Sequence, residues 1–148
     1  MTNDRTIGIV MNGITGRMGY RQHLVRSILA IRDQGGVPLP DGTKVQVEPI
    51  LVGRNAEKVE QIAQRHGVQR WTTDLDEALT QFGAKVYFDA QLTTVREPAI
   101  LKAIEAGLDV YTEKPIAEDL DGALRPATII EPSETRMIGF GPNRSSKR

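Results

Sequence analysis

Three groups of residues in this sequence have the types and spacing to bind an anionic nucleotide and to move a proton beside it. The first is Gly13-Ile14-Thr15-Gly16-Arg17-Met18-Gly19, a G-x-x-G-x-x-G stretch. Gly13 allows a tight turn, Gly16 leaves the backbone open to a phosphate, and Gly19 lets a following helix lie close to the preceding strand. Helix starts carry unpaired N–H groups and partial positive charge, and both favour a pyrophosphate. The second group is Arg54 with Asn55. In a dinucleotide fold an acid at this strand end accepts the adenosine ribose 2′-hydroxyl, whereas an arginine pairs with a 2′-phosphate. Arg54 therefore favours NADP over NAD, with Arg17 as a second cation. The third is Glu113-Lys114-Pro115. A lysine there can hydrogen-bond a substrate hydroxyl or a nicotinamide ribose and can shuttle a proton.

These residues need elements to hold them. Ile7 to Met11 is a short apolar run that reads as a buried parallel strand, and Tyr20 to Ile31 reads as a helix. Gly13–Gly19 thus occupies a strand-to-helix turn, the context that makes a glycine motif informative. Asp33 to Gly36 stops the helix, and Val37 to Gly42 reads as a surface loop with a turn at Asp41-Gly42. A strand is expected over Val45–Val52. A helix over Ala56–Arg65 follows, capped by Asn55 and closed by Gly67.

Further strands are expected at Val68–Trp71, Val86–Ala90 and Val110–Thr112, with helices at Leu75–Phe82 and Arg96–Ala106 between them. Thr73 or Asp74 caps the first of these helices, and Pro98 falls in the first turn of the second. Alternating short apolar strands and helices predict an α/β fold, a doubly wound parallel sheet of the Rossmann type. Ligands in such sheets bind outside the carboxyl ends of the strands. Four loops meet there: Gly13–Gly19, Gly53–Asn55, Gln91–Thr94 and Glu113–Pro115. The candidate cofactor-binding residues are Gly13, Thr15, Gly16, Arg17, Met18, Gly19, Arg54, Asn55, Gln91, Leu92, Thr93, Glu113, Lys114 and Pro115. Lys114 is the candidate catalytic residue.

Composition narrows the classes. Among 148 residues, Lys+Arg and Asp+Glu are 19 each, so no basic excess points to nucleic acid or to an anionic membrane surface. The absence of cysteine excludes disulfides and thiolate chemistry. His23 and His66 have no metal-ligand companion at helical spacing, so both read as structural and no metal is expected. No apolar run approaches the roughly 20 residues of a membrane span, and Met1–Asp4 leaves no room for a signal peptide. A cytoplasmic protein is the expectation.

Glu113-Lys114-Pro115 after a strand, preceded by Ala103-Ile104-Glu105-Ala106-Gly107, resembles the Gfo/Idh/MocA oxidoreductases. The glycine loop, Gly53-Arg54-Asn55 and the E-K-P tripeptide come in that family's order, over Thr6 to Leu124. The glycine loop alone also resembles that of dihydrodipicolinate reductase. The family resemblance implies a nicotinamide-dependent hydride transfer at a sugar, cyclitol or related hydroxyl. It places Lys114 beside nicotinamide and substrate and suggests a cis Lys114–Pro115 bond. The family's Thr-Pro-Asn-like loop is here Gln91-Leu92-Thr93, and Arg96 stands where a histidine is usual.

The family continues into a second α/β domain that completes the substrate site. Here the pattern breaks after Leu124. A helix over Glu118–Leu124 is expected to be cut off by Pro126, and only Thr128–Ile130 or Met137-Ile138 offers a weak further strand. The expected division is residues 1–124 as the NAD(P)-binding domain and 125–148 as a poorly ordered tail. Such a break is what truncation or a frameshift in a longer reading frame would leave, and reading the downstream DNA in its other frames tests that. Two functions follow: the cofactor half of a dehydrogenase, or a dinucleotide-binding module without turnover. The face that a second domain would cover is a route to self-association.

Overall fold

β1 (Arg5–Asn12) is hydrogen-bonded on both sides. In the computed structural model, which describes residues 4–130 and 137–139, both neighbours run parallel to it. They are β3 (Lys44–Val52), in register from Arg5↔Val45 to Asn12↔Val52, and β5 (Val86–Asp89), from Ile9↔Val86 to Asn12↔Asp89. A strand covered on both faces must be apolar on both. Val10 and Met11, adjacent and therefore on opposite faces, are both fully buried. Val10 packs with Ile50, Tyr87, Ile100 and Val110, and Met11 with Leu24, Leu51, Val59 and Phe88.

β6 (Asp109–Thr112) pairs with β5, and β7 (Met137–Gly139) pairs with β6, both parallel. β4 (Trp71–Thr72) joins the carboxyl end of β3. The parallel strands run β4, β3, β1, β5, β6, β7, so the order reverses between β1 and β5. This is the doubly wound Rossmann arrangement. α1 (residues 18–33) and α2 (Ala56–His66) cover the Met11 face; α3 (Leu75–Gln81) and α4 (Thr93–Glu105) cover the Val10 face. Asn55 caps α2, its Oδ1 accepting from Lys58 N–H at 3.0 Å, and Gly67 ends it in the left-handed region. Asp74, rather than Thr73, caps α3 by accepting from the Asp76 and Glu77 amides.

α1 departs from the expected winding. It is π-helical over Met18–Leu29 and closes with an α-helical turn, Ala30–Asp33. Its buried residues are Gly19, Leu24 and Leu29, five apart. Bonds from residue i to i+5 stack such residues on one face, whereas an α-helix turns about 100° per residue and would scatter them.

Other differences have local causes. Val37–Pro38, expected as loop, forms β2, antiparallel on the outer edge of β3 where a proline is tolerated. The fourth strand begins at Trp71 rather than Val68, because the Val68 N–H is taken by Ala63 O at 2.8 Å in closing α2. α4 begins at Thr93, so Thr93 and Thr94 leave the loop and Pro98 lies inside the helix rather than in its first turn. α5 spans Leu120–Ile130 and passes through Pro126, which is buried, as is Gly122. A proline removes one hydrogen bond from a helix, and burial of the turn offsets that loss. The backbone therefore shows no break at Leu124, and Met137-Ile138 lies in a sixth parallel strand. The rest of the expected tail, including residues 140–148, lies outside the described residues.

Candidate functional site

The glycine turn is built by close approach. Gly13 has φ +83°, and a Cβ there would sit 2.7 Å from Ala90 C and Gln91 N. A Cβ on Gly19 would sit 2.3 Å from Gly13 O, so α1 starts directly against the turn. Above Gly16 the space is open: a Cβ there would meet only Gly13 O, at 3.4 Å. Gly16 N–H donates to Gly13 O at 3.2 Å and closes the turn.

This turn opens into a cleft of about 170 Å³ at the strand-order reversal. The cleft brings together six predicted residues, Gly13, Thr15, Gly16, Arg54, Gln91 and Leu92. A second cleft of about 220 Å³ adjoins it and shares Arg54 and Gln91. Arg54 is exposed, and among the described residues its side chain has no hydrogen-bond or ion-pair partner.

Other predicted residues do not line this cleft. Arg17 and Met18 are exposed beside it, Gly19 is buried under the turn, and Asn55 is committed to capping α2. Thr93 is the first residue of α4. Glu113, Lys114 and Pro115 form the neighbouring loop after β6, with Lys114 exposed and the Lys114–Pro115 bond cis. Three lining residues lie outside the predicted ligand-edge loops, Asn12, Ala90 and Val95; a fourth, Gly53, lies in the predicted Gly53–Asn55 loop without having been singled out. Asn12 and Gly53 each directly follow an apolar strand run, and that position at the carboxyl edge was the available signal.

Beneath the cleft lies a polar network buried in the sheet edge. Asn12 Nδ2 donates to Tyr87 Oη at 3.1 Å, and Tyr87 Oη donates to Asp89 Oδ2 at 2.5 Å. Asp89 Oδ1 accepts from the Gln91 N–H at 2.8 Å and from Arg96 Nε at 3.1 Å. Burial pushes the Asp89 carboxyl above its ordinary value, against the pull of these donors. Burial, reinforced by the neighbouring carboxylate, holds the Tyr87 hydroxyl well above its ordinary value, so it stays protonated and donates. Arg96 also donates from Nη2 to Gln91 O at 2.5 Å and from Nη1 to Glu113 O at 2.8 Å and to Pro115 O. Gln91 Oε1 is the exception: it is buried and has no hydrogen-bond partner among the described residues.

Among the described residues, no group of three or more His, Asp or Glu could hold a metal ion. No helix among them is long and apolar enough to cross a membrane.

No protein-family model matches the sequence. The D-xylose dehydrogenase of Paenarthrobacter nicotinovorans is 53% identical over 129 residues, covering 87% of this chain and 33% of that protein. Among solved structures, the WlbA dehydrogenase of Chromobacterium violaceum in complex with NADH and UDP-GlcNAcA matches with a TM-score of 0.73 and 20% identity, over 97% of this chain and 37% of that one. Scyllo-inositol dehydrogenase from Lactobacillus casei with bound NAD(H) and scyllo-inositol matches with a TM-score of 0.69 and 18% identity, over 92% of this chain and 36% of that one. At these identities the structural matches establish the fold. The chain spans about a third of the length of the relatives it matches.

Proposed function

Since this chain belongs to the Gfo/Idh/MocA oxidoreductases and matches a third of a relative's length, we propose that its cleft binds a nicotinamide dinucleotide, NADP in preference to NAD. On this reading it supplies the cofactor half of a dehydrogenase acting on a sugar or cyclitol hydroxyl. The observation that carries the reading is the convergence of the Gly13–Gly19 turn, Arg54 and Gln91 on one cleft where the strand order reverses.

The residues present suit the group. The open space at Gly16 and the start of α1 would take the pyrophosphate. Arg54, exposed and without a partner among the described residues, would meet a 2′-phosphate. The orphaned Gln91 Oε1 needs a donor, and a ribose hydroxyl is one. When bound, the nicotinamide accepts or donates hydride. Lys114 would hold the substrate hydroxyl and move its proton.

A second reading, dinucleotide binding without turnover, is favoured by the exposure of Lys114. Hydride transfer needs both reactants held within reach, and Lys114 stands exposed on the loop beside the cleft.

A thermal-shift titration with NADPH and NADH in parallel tests the proposal. A ligand at about 100 times its Kd stabilises the native state by about 2.7 kcal/mol, a shift of several degrees for a domain this size. A larger rise with NADPH is expected. A cooperative melt unmoved by either nucleotide would overturn the proposal.

A further inference from the structure

Arg96 lies in α4, and its side chain ties the Gln91 loop to the Glu113–Pro115 loop. The side chain is 4% exposed. Its guanidinium spans two loops and a strand end: Nε reaches Asp89, Nη2 reaches the Gln91 carbonyl, and Nη1 reaches the carbonyls of Glu113 and Pro115. Gln91 is therefore gripped twice, its N–H by Asp89 and its carbonyl by Arg96. Lys114 lies between the two carbonyls that Nη1 holds, so its backbone is fixed on both sides while its side chain stays exposed. A buried guanidinium is a costly way to fill space, since the desolvation of an ion commonly exceeds the gain from pairing it. What it provides is a planar fork with donors in several fixed directions.

We infer that Arg96 is a positioning residue: it sets Gln91 and Lys114 in place relative to one another and so orders the nicotinamide half of the cleft, leaving the adenosine half to Gly13–Gly19 and Arg54. This rests on the dinucleotide reading above. Arg96 acts through the Asp89 carboxylate and the backbone of the two loops.

The test is calorimetric titration of the unsubstituted chain, Arg96→Lys and Arg96→Gln with NADPH, with 2′,5′-ADP as the adenosine-half probe, and with reduced nicotinamide mononucleotide. Arg96→Lys keeps a cation beside Asp89 and preserves folding, but an ammonium cannot bridge both loops. Expected is 2′,5′-ADP affinity within about twofold in Arg96→Lys, with NADPH and the mononucleotide weakened about tenfold or more. Amide exchange at residues 91–95 and 113–116 should accelerate while β1 and β3 keep their protection. Unchanged NADPH affinity overturns the inference and leaves the nucleotide reading standing. Equal weakening of all three ligands, with protection lost across the sheet, overturns it in favour of a purely structural arginine. An unsubstituted chain that binds none of the three overturns the nucleotide reading, and the inference with it.

Discussion

His23 and Glu113, 90 positions apart in the chain, meet at 2.5 Å between Nε2 and Oε1. The imidazole also packs on Phe88, with ring centroids 4.6 Å apart. The contact joins α1, whose first residues border the cleft, to the residue just before Lys114. His23→Ala should therefore free the Glu113 loop. Faster amide exchange at residues 113–116 is expected, with a loss of about 1 kcal/mol in stability. Unaltered exchange there would mean that the Arg96 bonds hold the loop without help.

Arg54 decides the cofactor preference if a 2′-phosphate lies beside it. Arg54→Ala should weaken NADPH about tenfold at low salt, leave NADH within about twofold, and so remove the preference. Calorimetric titration of both nucleotides measures this. A variant that keeps its preference for NADPH would move the phosphate contact to Arg17.

Gly19→Ala tests the closeness of helix and turn. The added Cβ would lie 2.3 Å from Gly13 O and 3.0 Å from Gly13 C, both backbone atoms that cannot swing aside. The start of α1 must move off the turn, at a cost of about 1–3 kcal/mol. Denaturant unfolding should show that loss, and nucleotide binding should weaken with it. Gly16→Ala, which meets only one atom at 3.4 Å, should leave stability nearly unchanged while impairing binding.

His66 makes stability depend on pH. Burial holds its pKa below the ordinary 6.5, helped by the charges of Arg65 and Arg32. The ring Nε2 shares a hydrogen bond with Tyr20 Oη at 2.8 Å. Below about pH 6.5 the unfolded chain binds the proton more readily than the folded one, so this contribution is present at neutral pH and is lost as pH falls. Melting temperatures at about pH 7.5 and 5.5 should differ more for the native chain than for His66→Gln, whose amide can take up the same bond in either direction without titrating. Equal differences would show that carboxylates alone set the acid sensitivity.

The sheet and its ligand edge are legible in the sequence because their signals are local. Ile7–Met11, Val45–Val52 and Val86–Ala90 carry apolar runs bounded by turn residues, and Asn55, Asp74 and Gly67 mark helix ends through their own side chains or backbone angle. The glycine turn and Arg54 were readable for the same reason. What was not legible depends on residues far apart. Nothing near position 96 announces that its side chain will be buried against positions 89, 91, 113 and 115. Val37–Pro38 is a strand only because β3 offers it an edge. The π winding of α1 likewise answers to the packing of Gly19, Leu24 and Leu29 under the turn and on the sheet rather than to helix propensity.

The central place of β1 has a consequence for the order in which the protein is made. β1 leaves the ribosome before β5, its partner, which begins only at Val86. At about 5–20 residues per second, the gap between Asn12 and Val86 lasts roughly 4–15 s. Throughout that interval one edge of the innermost strand has no native neighbour, and the glycine turn has no Ala90 and Gln91 to rest against. The cofactor cleft is thus encoded early and completed late. Nascent chains arrested before Asp89 has emerged should show no nucleotide-dependent protection from protease, and chains arrested well beyond Thr112 should show it.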